Sequence, residues 1–380
     1  MNYILLGSQH FLSMISATIL VPLLTGMPVS VALFTSGVGT IIFHKLTKDK
    51  VPAYLGSSFA FIAPLAYIVA NQGIRSAAGG VIFAGLIYLI FSRFIKKINL
   101  KRDLPPVVVA PIIMLIGLSL APVAIEQAQT NILISVFTLV VAIAIAIFAK
   151  GFFKLVPVMG GIIAGYFLAV MLGAVDFSPI ASAEIIGFPK FFLPNFNLTA
   201  ISVIAPVALV TMVEHIGDIL AIENTIKEDI VGEVGLNKTL QGDGVATMFA
   251  GLLGGVPNTT YGENTAVLAL TKVYDARVVK IGAIIAIILS FLPKASAFIF
   301  TVPEAVLGGI SILLFGMITA IGLRTLVESN TDLNEQRNLI IISVILVIGL
   351  GGAVFNVGFE VSELAAATII GILLNIVLPE

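Results

Sequence analysis

The sequence predicts an all-α polytopic membrane protein of fourteen transmembrane segments, arranged as two inverted repeats of seven. Three observations predict it. Apolar runs recur along the whole chain, each near the roughly 20 residues a helix needs to span a bilayer. Lys and Arg gather on alternate loops, the mark of loops that face the cytoplasm. The hydrophobic pattern also breaks twice, at matching positions about 205 residues apart, which is the signature of an inverted repeat.

Composition excludes the main rivals. The 380 residues are 58% hydrophobic and 11% charged, whereas a soluble domain carries roughly 25% charged residues. A net charge of -1 offers no basic surface for nucleic acid. The chain has no cysteine, which removes disulfides, thiolate metal ligands and cysteine nucleophiles. The first apolar run begins at Tyr3 without a basic leader or a small-residue cleavage site, so it reads as a retained span rather than a signal peptide.

The first seven segments are expected at 3–24, 29–44, 52–71, 77–95, 105–125, 131–149 and 155–174. A loop at 175–198, rich in Pro and Phe, separates them from 199–221, 237–253, 256–272, 276–293, 302–323, 338–355 and 358–378. With both termini cytoplasmic, 17 of the 20 Lys and Arg residues lie on inner loops, leaving Arg75, Lys190 and Lys294 outside. One segment more or fewer would invert every later loop and destroy this bias. Two halves of odd number then run in opposite directions. Local likeness agrees: Gly37-Val38-Gly39-Thr40 recurs as Gly244-Val245-Ala246-Thr247, and Val51-Pro52 through Gly56-Ser57-Ser58 recurs as Val256-Pro257 through Gly262-Glu263-Asn264.

Segments three and ten are poor transmembrane helices. Each opens on a polar, Pro- and Gly-containing stretch before its apolar half, and so reads as extended and then helical. Non-helical backbone at membrane depth is tolerated only where protein buries it or a cavity exposes it. Paired interruptions in corresponding repeat positions point to a transporter's substrate site. The half-helix starts would present backbone N–H groups and a partial positive charge to a ligand's carbonyl oxygens. The plain alternative is two loops that dip partway into the bilayer, which leaves the repetition unexplained.

Ionisable residues in apolar segments are costly and mark pathways or partners. Glu214, His215 and Asp218 lie within segment eight, and Glu263 lies at the break of segment ten. Glu214 and Asp218 are one turn apart and share a helix face, whereas His215 points about 100 degrees away. Burial in a low-dielectric medium favours the neutral form of a carboxyl group, as a proton-coupled carrier requires. His215 is expected to pack or support, and Asp243 and Gln9-His10 to bond between helices. Glu304, Glu360 and Glu363 fall near segment ends and are expected at the interface. Glu263 follows Tyr261-Gly262, where glycine permits close approach of backbone to a ligand; its plain alternative is a cap on the half-helix. Phe59 and Phe61, beside Ser57 and Ser58, offer a flat apolar wall to a planar ring. No zinc, phosphate-loop or serine-nucleophile motif is present, so no enzyme or ATP-driven pump is expected. No cofactor is implied.

Pro257-Asn258-Thr259-Thr260-Tyr261-Gly262-Glu263-Asn264, with Val267 to Tyr274, closely resembles the signature of the nucleobase-ascorbate transporter family, in the form found in its uracil permease branch. Ser8-Gln9-His10, Ala17 to Pro22, Pro52 to Phe61 and Glu214-His215-Ile216-Gly217 extend the likeness. The resemblance implies short antiparallel strands in segments three and ten. It implies a core domain (1–98 and 199–295), a gate domain (99–198 and 296–380) and a homodimer in the inner cell membrane. It implies that Glu214 and Glu263 accept ring N–H groups, that the backbone amides of Phe59 and Gly262 donate to ring oxygens, and that Ala17 and Tyr261 complete the pocket. Ser57, Ser58, His215, Asn264 and Phe315 stand behind them, and Glu263, Asp218 and Glu214 are the candidates for proton coupling. The family's uracil carrier has His where Asp218 stands and Tyr where Phe315 stands, which removes a hydrogen bond on the gate side. The expectation is uracil import by proton symport. Xanthine or another nucleobase, sodium coupling, an anion carrier of the same architecture and a non-transporting receptor remain as alternatives.

Overall fold

A computed structural model describes residues 3–95, 102, 105–352, 355–356, 360–361 and 363–379, without the side chains of Leu155, Glu263, Phe355, Asn356 and Glu360. The first half contains helices α1 (Tyr3–Thr25), α2 (Val29–Leu46), α3 (Ile62–Gln72), α4 (Ile74–Phe94), α5 (Pro106–Ser119), α6 (Ala121–Gln129), α7 (Ile132–Phe148) and α8 (Pro157–Met171). Strand β1 (Leu55–Ser57) and a 3₁₀ turn (Phe59–Phe61) precede α3. The second half contains α9 (Leu198–Ile204), α10 (Val207–Ile226), α11 (Leu236–Leu252), strand β2 (Asn258–Thr260), α12 (Gly262–Thr271), α13 (Ala276–Ser290), α14 (Pro293–Phe300), α15 (Glu304–Glu328), α16 (Gln336–Leu350) and α17 (Glu363–Val377). A second, minimal ribbon pairs β3 (Phe355–Asn356) with β4 (Glu360–Val361).

Six helical stretches among the described residues are long and apolar enough to cross a membrane, or seven if α13 and α14 count as one span bent by 87°. Five shorter apolar helices accompany them. Large apolar side chains point outward at 66% exposure for Ile132, 78% for Phe148 and 72% for Val347; lipid is the solvent that such a surface suits. The protein is a multi-pass membrane protein.

Proline sets several of the breaks. The fifth expected segment divides at Leu120 into α5 and α6, with Pro122 in the first turn of α6. The eighth divides before Val207, where Pro206 lacks the N–H that would continue the helical hydrogen-bond ladder. The eleventh ends at Ser290, and Pro293 opens α14 in a new direction, where a loop is expected. A proline in the first turn costs nothing, because that N–H has no intrahelical partner.

Two groups of helices pack separately. In one, α11 packs on α2 and α4, and α13 on α1 and α2. In the other, α15 packs on α5, α6, α7 and α8, and α16 on α5 and α17. Helix α10 belongs with the first group and touches α5 and α17 of the second.

Candidate substrate site

The two interrupted segments meet strand to strand. β1 and β2 pair antiparallel, with Leu55 opposite Thr260, Gly56 opposite Thr259 and Ser57 opposite Asn258. The Ser58 N–H donates to Pro257 O (3.0 Å) and the Tyr261 N–H to Tyr54 O (3.1 Å), extending the ribbon by one bond at each end. An isolated two-stranded ribbon is marginal in stability. Here all six strand residues are buried, enclosed by α1, α2, α10 and α11. Each strand runs directly into a helical turn, at Phe59 and at Gly262, so two helix starts stand at opposite ends of a ribbon three pairs long.

Glycine is required at two points. The Tyr261 ring lies over Gly56 so closely that a Cβ there would enter it, and the Tyr261 hydroxyl donates to Ser57 O at 2.9 Å. A Cβ on Gly262 would come within 2.8 Å of Asp218 Oδ1. The second contact places the Asp218 carboxylate at the start of α12. Glu214, one turn earlier in α10, is half-buried, as is Asp218. The backbone of Glu263 follows Gly262, and its side chain lies outside the described residues.

His215 faces the other way, as helical geometry dictates. Its Nδ1 lies 2.9 Å from Thr260 Oγ1 and 2.8 Å from Asp243 Oδ2, all within a fully buried cluster. Asp243 also accepts from the Thr260 N–H (3.2 Å) and the Thr259 hydroxyl (3.3 Å). From α1, His10 Nδ1 lies 2.8 Å from Asn264 Oδ1, and Asn264 Nδ2 donates to Pro52 O at 2.6 Å. Ser57 Oγ donates to Thr18 O (2.8 Å), the residue after buried Ala17. Ser58 is buried, and Phe59 is 9% exposed at the head of its turn. The structure thus gathers Ala17, Ser57, Ser58, Phe59, His215, Asp218, Tyr261, Gly262 and Asn264 around one ribbon, with Glu214 one turn away. Phe315 stands apart: it is buried in α15, with its carbonyl against Gly117 of α5.

Two cavities open between α10 and α17. One of about 290 Å³ is apolar throughout, lined by Met212, Val213 and Ile216 opposite Ile369, Ile372 and Ile376. The other, about 150 Å³, reaches Ala60 beside Phe59 and is lined by Tyr67, Ser119 and Glu363. Glu363 therefore turns toward the space between the helix groups, where its place at a segment end suggested the interface. Its sequence position carried no sign of this, because α17 packs on α5, and lines one cavity with α3, only in the folded chain. The Glu360 side chain lies outside the described residues. Sequence reasoning also passed over Thr40 and Thr247, whose repeated Gly-Val-x-Thr context was the available signal.

Two broken helices joined strand to strand inside a multi-pass bundle, with the Asp218 carboxylate at a helix start, define a membrane carrier. Residues 1–358 match the Permease family, and the chain belongs to it. It is 43% identical over 404 residues to the uracil permease of Bacillus subtilis (strain 168), covering 100% of this chain and 93% of that one. It is 40% identical over 387 residues to the uracil permease of Escherichia coli (strain K12), covering 98% and 90%. The likeness read from Pro257 to Asn264 is borne out, and the family is one of transporters rather than enzymes. In fold, the chain is similar to the transmembrane domain of the cyanobacterial bicarbonate transporter BicA (TM-score 0.67, 14% identity, covering 98% and 96%). It is also similar to the murine Solute Carrier 26 family member A9 anion transporter (TM-score 0.71, 12% identity, covering 98% and 67%).

Proposed function

We propose that this protein imports uracil across the cell membrane by proton symport, through alternating access. The observation that carries the reading is the β1–β2 ribbon, which brings a helix start from each repeat into one buried region and sets Asp218 against Gly262. The names of the relatives supply the substrate. Uracil alternates N–H donors and carbonyl acceptors along one edge. Glu214 and Glu263 accept its N–H groups, the backbone N–H groups of Phe59 and Gly262 donate to its oxygens, and Ala17 and Tyr261 close the pocket. Ser57, Ser58, His215 and Asn264 hold the ribbon, which the bonds to Thr18, Pro257, Thr260 and Pro52 support.

The fourteen-segment inverted repeat belongs to the same proposal. Its support is the order of elements: helix, helix, strand with half-helix, helix, and then three further crossings, met once from α1 and again from α9 and α10 taken as one crossing. The separate packing of the two helix groups supports a core of 1–98 and 199–295 and a gate of 99–198 and 296–380. Phe315 stands on the gate side, and the outward apolar faces meet lipid. Both termini are cytoplasmic, and two copies associate through the gate. Glu263, Asp218 and Glu214 carry the proton. Fold relatives that move anions do not favour an anion here, because the carboxylates of Glu214 and Asp218 would repel one.

Titration calorimetry of the purified protein with uracil, xanthine and sulfate tests the substrate. Binding of uracil alone is expected; tighter binding of xanthine or sulfate would replace this reading.

A further inference from the structure

We propose that Thr40 and Thr247 are a matched pair of positioning residues, each holding in place the substrate-binding backbone of the opposite repeat. Thr40 Oγ1, on α2, accepts from the Leu55 N–H at 3.0 Å and donates to Leu55 O at 3.3 Å. Thr247 Oγ1, on α11, accepts from the Asn258 N–H at 3.2 Å and donates to Asn258 O at 2.8 Å. Leu55 and Asn258 are the first residues of β1 and β2, and both threonines are fully buried. One hydroxyl, being donor and acceptor at once, thus serves both backbone groups of a strand's leading residue, as a neighbouring strand would.

The antiparallel register makes the support cross over. Leu55 stands opposite Thr260, two residues before Gly262, and Asn258 stands opposite Ser57, two residues before Phe59. Thr40 therefore anchors the pair that leads into the Gly262 amide, and Thr247 the pair that leads into the Phe59 amide. The two clamps differ in reinforcement. Ser36 Oγ also donates to Leu55 O at 2.5 Å, so Thr40 matters chiefly as the acceptor for the Leu55 N–H. For Asn258, the side-chain amide donates to Thr35 O at 3.0 Å, but the bonds to its backbone come from Thr247. Removing a hydroxyl without changing shape leaves buried backbone groups unpaired and lets the ribbon drift, so the two amides no longer meet one rigid ligand together.

The inference rests on the uracil reading, and two readouts separate them. Thr40→Val, Thr247→Val and the corresponding Ser variants are compared for uracil affinity by calorimetry, and for hydrogen exchange in peptides covering 55–61 and 258–264. Each Val variant is expected to weaken uracil about tenfold, with the Ser variants within about twofold of the native protein. Thr40→Val is expected to speed exchange in 258–264 as well as in 55–61, and Thr247→Val the reverse. Native affinity in a folded Val variant, Ser variants as weak as Val, or faster exchange in only the clamped strand would each overturn the proposal. If a Val variant does not fold, its Ser partner decides: retained affinity supports the hydroxyl clamp, and lost affinity overturns it. A native protein that binds another nucleobase would sink the uracil reading and leave the exchange pattern to judge the clamps.

Discussion

Glu214 and Asp218 lie one turn apart on a helix that packs on α12, and Asp218 meets the start of that helix at Gly262. A ring N–H that docks there needs an acceptor. Glu214→Gln turns an acceptor oxygen into a donor amide and leaves groups unpaired at about 1–3 kcal/mol, so uracil affinity should fall about tenfold to a hundredfold by calorimetry. Unchanged affinity in the folded variant would remove Glu214 from the site. Coupling makes a different demand, because a proton carrier must be loaded in one state and emptied in another. Asp218→Asn or Glu263→Gln, whichever removes the coupling group, should still exchange bound uracil across the membrane yet fail to accumulate it under an inward proton gradient. Accumulation by both variants would move coupling elsewhere. These carboxylates were legible because an acid in an apolar run is costly, and the direction of His215 followed from its 100-degree offset from Glu214. Thr40 and Thr247 were legible only as the ends of a repeated Gly-Val-x-Thr string, and their role was not, because their partners are backbone groups that only the fold brings near.

The decisive element is the ribbon. Its breaks could be read from Pro, Gly and polar residues interrupting two apolar runs at a shared offset, and the packing around it depends on Gly56. Gly56→Ala drives a methyl group into the Tyr261 ring, an overpacking that costs about 1–3 kcal/mol. The variant should melt at lower temperature in detergent and bind uracil more weakly; a native melting temperature and affinity would show that Tyr261 can move aside freely. Other element boundaries were hidden for a physical reason. Pro122 and Pro206 stand inside continuous apolar runs, and hydropathy sums across a proline although the helix does not. The turn of 87° between α13 and α14 depends on how that chain end packs, which no local pattern records.

For the whole molecule, length and apolarity alone identify six or seven crossings among the described residues, because the half-helices and the short apolar helices α7, α8, α16 and α17 fall short of a span. The proposed count of fourteen rests on the Lys and Arg distribution, since each missed crossing would reverse the later loops. The fold alone does not fix substrate or coupling ion, since it is shared with proteins of 11–14% identity. The most direct test is therefore uptake of radiolabelled uracil by proteoliposomes holding the purified protein, with the interior made alkaline and no sodium gradient. Concentrative uptake that collapses when a protonophore dissipates the pH difference is the predicted result. Uptake that never exceeds equilibration, or that is concentrative only with an inward sodium gradient, would contradict the account.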